Sequence, residues 1–155
     1  MPSLNPIDLS APLGKKNAAH FLRRTTFGPS RTDIDTFSGY NITQALAVVF
    51  EEKPAASPPL DLKTGAPWVN PKRTEANSEG NELMKMTFAW WLDLMMTSGN
   101  SIIDRMAWFF HTHFTTIGSR IESGEAIYYQ LKLFRHYARG NFKELAKKYA
   151  MTMPC

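Results

Sequence analysis

A chain of 155 residues, 43% hydrophobic and 21% charged, has the length of one ordinary domain and lies well away from the composition of disordered chains. Its formal charge of +4 permits an anionic partner without requiring one. One cysteine, Cys155, excludes an internal disulfide and any cysteine-based zinc cluster.

Met1 to Gly14 carries Pro2, Pro6 and Pro12 and no apolar run of seven, so it does not read as a secretory signal peptide. No uninterrupted apolar run approaches the ~18 residues of a membrane span. Residues 1–13 are an expected extended segment, and 14–148 an expected helical domain. The first helix is predicted over Leu13 to Phe27, with Gly28-Pro29 as its stop and Arg23 and Arg24 in its last turn, where cations suit the helix dipole. Ser30 and Asp33 have capping-box spacing and open a short second helix ended at Gly39. A third follows over Thr43 to Glu52. It has no amide or basic side chain except Gln44 to offer a base edge or a phosphate, which argues against a helix-turn-helix. There is no strong nucleic-acid signal.

Pro54 to Asn81 holds Pro54, Pro58, Pro59, Pro67 and Pro71 and reads as one long surface loop, with Trp68 able to pin it to the body. Glu82 to Thr97 is predicted as the central helix; it is apolar nearly all round and so expected to be buried nearly all round. Ser101 and Asp104 then open a helix to about Ile117. It carries Trp108-Phe109-Phe110-His111-Thr112-His113-Phe114, the densest aromatic and histidine stretch in the chain. On a wheel, Ile102, Met106, Phe110, His113 and Ile117 share an arc, which points His113 at the core. His111 lies about 160° away, on the side of Asp104 and Trp108, so an unbroken helix does not let both histidines grip one metal ion.

A further helix is predicted from Ser119 to about Arg139, with Ile127, Leu131, Phe134 and Ala138 inward. Tyr128, Lys132, Arg135 and Arg139 form a second row that can bind a phosphate, sulfate or carboxylate, or else be a solvated face. Gly140 caps it, and Asn141 with Glu144 starts a last helix. The fold expected is therefore all-α, an irregular multi-helix globular bundle with one long Pro-rich loop.

Three ordered blocks stand out: residues 18–29, AAHFLRRTTFGP; residues 109–114, FFHTHF; and residues 134–145, FRHYARGNFKEL. Together they resemble the bacterial family catalogued as domain of unknown function 1800, with its AAHLLRRATFG-like opening, FWHNHF-like centre and RxHAxGNFxxL-like close. Phe110 stands where the family usually has Trp, and Thr112 where it usually has Asn. The resemblance covers residues 13–148 but only about the first third of a typical member, and it brings no biochemical activity with it. Members are often exported, which implies a periplasmic or cell-surface setting. It also implies partners: the missing carboxyl-terminal part of the family domain, or a neighbouring exported protein. After the third block the family continues with an AML-containing helix. A continuation such as KKICYDNAML with one nucleotide lost would read KKYAMTMPC, so residues 149–155 are expected to be a frameshifted tail.

Two functions from different classes are open. One is a non-catalytic helical binding or assembly module; the other is a fragment of a metal-assisted hydrolase with His111 as the candidate ligand and His20, His136 and Asp104 as candidate catalytic groups. No HExxH or GxSxG pattern is present. No cofactor can be named from the residues.

Overall fold

Short polar caps cut the amino-terminal third into helices. The computed structural model of the protein describes residues 8–69, 80–115 and 123–152. Three helices come first: α1 (Gly14–Thr25), α2 (Arg31–Ser38) and α3 (Ile42–Val49). At α2 the Ser30 hydroxyl accepts from the Asp33 amide at 3.1 Å and the Asp33 carboxylate accepts from the Ser30 amide at 2.9 Å, the reciprocal box that the spacing predicts. Asn41 and Gln44 build a second box before α3, which therefore starts at Ile42 and stops at Val49, three residues short of the expected end.

These helices form the first of two compact units, residues 1–53 with 99–102. Ala18 and Leu22 of α1 meet Phe37 of α2 and Ala45 and Val49 of α3, all buried. The segment after Gly99 is tied to this unit by two bonds: the Ile102 amide donates to the Val49 carbonyl at 3.2 Å, and the Asn100 amide group donates to the Asp33 carboxylate at 3.0 Å. Bonds from Ser30 and Asn100 hold the Asp33 carboxyl below its usual range.

The second unit is residues 54–98 with 103–155. Its helices are α4 (Gly80–Thr97), α5 (Ile103–His113), α6 (Gly124–His136) and α7 (Phe142–Thr152). Ahead of α4, residues 51–69 run without a helix, with one isolated antiparallel bridge between Leu60 and Pro67. Trp90 of α4 pins this loop, its indole N–H donating to the Ser57 carbonyl at 2.8 Å; Trp68, expected in that role, is half-buried. The predicted loop residues 70–79 lie outside the described residues.

Helix α6 organises the unit by packing on α4, α5 and α7. Its contact with α4 is backbone-close, because a Cβ on Gly124 would sit 2.7 Å from the Leu83 carbonyl carbon and 2.7 Å from the Met84 nitrogen. Beside it, the buried Thr87 hydroxyl lies 3.0 Å from the Leu83 carbonyl oxygen and 3.2 Å from that of Gly124. Trp91, Ile127 and Leu131 make one apolar cluster, and Ala107, Phe110, Phe134 and Leu145 another. Tyr149, the first residue of the expected aberrant tail, lies within α7, stacks on Phe134 at 5.6 Å between ring centres, and donates its hydroxyl to the Phe114 carbonyl at 3.3 Å.

The fold is all-α and irregular, with no strand among the described residues. No helix among them is long and apolar enough to cross a membrane. Two expectations fail. First, α4 is not buried all round: Phe88, Leu92 and Met96 are 39%, 54% and 77% exposed. Its partner α6 covers only the Leu83–Thr87–Trp91 side, and amphipathicity is masked because the outer side is apolar too. Second, His113 is not a core residue. The inward stripe of α5 is Ile103, Ala107 and Phe110, rotated from the predicted arc, so His113 is exposed and stacks on Phe109 at 5.8 Å.

Candidate functional site

With the stripe of α5 turned in this way, Asp104, Trp108 and His111 form the row next to it, facing α4 and α6. Asp104 is 3% exposed, and its carboxylate makes an ion pair with the Arg135 guanidinium of α6. Burial pushes the Arg135 guanidinium below its ordinary value. Bringing both charges out of water together is what makes the burial tolerable, since either one alone would be costly.

One turn on, three rings gather. Trp91 of α4 lies 4.9 Å from His111, edge to face, and 5.5 Å from Trp108; Trp108 and His111 are 6.5 Å apart. His111 is half-buried, and desolvation lowers its pKa, so it is neutral at pH 7. Its Nδ1 and the Trp91 Nε1 are both buried with no hydrogen-bond partner among the described residues. A neutral imidazole in an aromatic corner can ligate a metal or take up a proton. Among the described residues, however, no three His, Cys, Asp or Glu side chains group closely enough to hold a metal ion.

His20 is exposed on α1, in the first unit, whereas His111 and His136 belong to the second. His136 is exposed at the end of α6 with its ring edge-on to Tyr137 at 4.8 Å. Of the basic row, Arg135 is turned into the pair with Asp104, Tyr128 is 5% exposed and packs on Trp90 at 5.3 Å, and Lys132 sits 6.0 Å over the Tyr128 ring. Within the row Lys132 and Arg139 are the exposed cations, whereas Arg135 is turned inward.

Two features had gone unnoticed in the sequence. The first is Trp91 as the ring closing over His111, a tertiary contact with no local signal. The second is an apolar groove of about 540 Å³ between the loop and α4, lined by Pro58, Pro59, Leu60, Leu62, Met86 and Trp90 among others, with Asp93 as its one charged side chain. Repeated prolines beside an apolar helix are the only hint of it.

No curated protein and no solved structure matches the chain. A family described as "Protein of unknown function (DUF1800)" matches it over residues 20–153, nearly the whole length and including most of the expected aberrant tail. This chain belongs to the DUF1800 family.

Proposed function

We propose that the chain is a non-catalytic helical binding or assembly module, the amino-terminal part of a larger protein, and that it docks through the outer face of α4. The observation that carries this reading is the exposed stripe of that helix. Phe88, Leu92 and Met96 recur at four-residue steps, so they lie on one side, and all three remain substantially open to solvent. Covering the open half of Leu92 alone is worth about 1 kcal/mol, so a partner surface along the stripe gains several times that. A contiguous apolar stripe on a helix already packed on its other side is the usual mark of an interaction surface.

The test compares the wild-type chain with a Leu92→Glu, Met96→Glu double variant for binding of an apolar-surface dye. The wild type binds dye or associates, and the double variant loses that behaviour with unchanged far-UV circular dichroism. Equal behaviour of the two proteins would refute the docking face. That the chain ends in a frameshifted tail is tested in the coding DNA, where a family-like continuation should lie in an adjacent frame downstream.

A second reading, metal-assisted hydrolysis through His111, is favoured by the neutral imidazole with its unpartnered Nδ1. It predicts stoichiometric metal in the protein that is lost in His111→Ala and kept in His113→Ala. Absence of metal from both would remove it.

A further inference from the structure

The stripe on α4 carries charges as well as apolar groups. At 100° per residue, Lys85, Leu92, Met96 and Ala89 fall within one arc of about 60°, with Phe88 on one flank and Asp93 on the other. Lys85, Ala89 and Asp93 are all exposed. Neither charge is in an ion pair among the described residues. Asp93 lies about two turns after Lys85, with the small Ala89 midway between them.

From this arrangement we infer that the occupant of the α4 face is a second copy of the chain, with its α4 running antiparallel to the first. The inference rests on the docking face proposed above and names its partner. Antiparallel pairing about the Ala89 turn brings Lys85 of each copy beside Asp93 of the other, so one contact yields two opposite-charge pairs. Parallel pairing would set Lys85 against Lys85 and Asp93 against Asp93. The small side chain at the middle lets the two backbones approach, while Phe88, Leu92 and Met96 lie over the facing helix. Such a contact is self-complementary, as a two-fold interface requires: what one copy offers at position 85 the other receives at position 93. The same pairing lays the second copy along the rim of the loop groove, where Asp93 is the one charged lining residue. Antiparallel alignment also opposes the helix dipoles favourably.

The experiment is sedimentation velocity on the full chain in low salt, using Lys85→Asp and Asp93→Lys alone, mixed, and combined in one chain. Both positions are exposed, so the fold should survive, and circular dichroism checks that it does. Wild type is expected to dimerise. Each single variant turns two attractions into two repulsions and should dimerise about tenfold or more weakly, given the ordinary strength of exposed pairs. An equimolar mixture of the two single variants should recover the dimer, because Asp at 85 and 93 in one chain meets Lys at 93 and 85 in the other. The double variant should recover it too. Salt should weaken the wild-type dimer. A dimer indifferent to both single variants, or a mixture that stays as weak as its components, would overturn the pairing. A wild type that stays monomeric yet binds dye in a Leu92-dependent way would also overturn it, while leaving the docking face in place for a different partner.

Discussion

The approach of α6 to α4 at Gly124 can be tested with one methyl group. A Cβ placed there would lie 2.7 Å from both the Leu83 carbonyl carbon and the Met84 nitrogen, and 2.9 Å from the Leu83 oxygen. Those atoms are backbone, so they cannot swing aside as a side chain would. Restoring ordinary contact requires the helices to separate by roughly 0.7–1 Å, a strain of about 1–3 kcal/mol. The same separation stretches the 3.2 Å contact of the Thr87 hydroxyl with the Gly124 carbonyl past bonding range, at a further cost of about 1 kcal/mol. Alanine's better helix propensity returns at most about 1 kcal/mol. Gly124→Ala should therefore destabilise the second unit by about 1–3 kcal/mol. All four tryptophans, Trp68, Trp90, Trp91 and Trp108, belong to that unit, so urea denaturation followed by tryptophan fluorescence reads it directly. The midpoint should fall by about 1–2 M at unchanged slope. A variant as stable as the wild type would refute the close approach.

Other consequences are measurable in the same way. Asp104→Asn strands the buried Arg135 guanidinium and should cost about 3–5 kcal/mol by urea denaturation, whereas replacing the pair by Leu and Met should recover most of it; equal losses in the two proteins would argue against a buried pair. His111 has its pKa lowered in the folded chain, so the unfolded chain binds its proton first as pH falls. Its contribution to stability is complete above the unfolded value near pH 6.5 and is lost as pH falls below that toward the folded value, so the melting temperature should drop between pH 7 and pH 5. The drop should be smaller in His111→Phe, and an identical drop in the variant would contradict the buried imidazole. Phe37 is 1% exposed at the centre of the first unit, and Phe37→Ala should destabilise it by about 3–5 kcal/mol as read by far-UV circular dichroism.

What the sequence made legible was whatever its neighbours decide. Ser30 with Asp33 fixed the start of α2 because a capping box is closed within four residues, and Gly99, at φ +59°, stopped α4 where an L side chain would be strained. The helical wheel places Ile102 in the stripe of α5, and the structure does not. Ile102 packs in the first unit instead, and the small Ala107, weak in any hydrophobic pattern, marks the line of close contact. Moving the stripe from Ile102 and Met106 to Ile103 and Ala107 carries His113 out to solvent and turns His111 inward. Asp104 and Arg135 were each singled out, one for catalysis and one for an anion. Their partnership spans two helices and leaves no mark at either position. Composition misled at α4, since an apolar outer face reads as burial when it is in fact exposed, and that misreading is what points to a partner.

The central claim is that the outer face of α4 is an interface between two copies of the chain, and sedimentation velocity of the wild type beside Leu92→Glu over a wide concentration range tests it most directly. The wild type should pass with rising concentration from the 17.6 kDa chain to twice that mass, while Leu92→Glu should sediment as a single chain throughout. Wild type and variant both sedimenting as one chain at every concentration, or both associating alike, would contradict it.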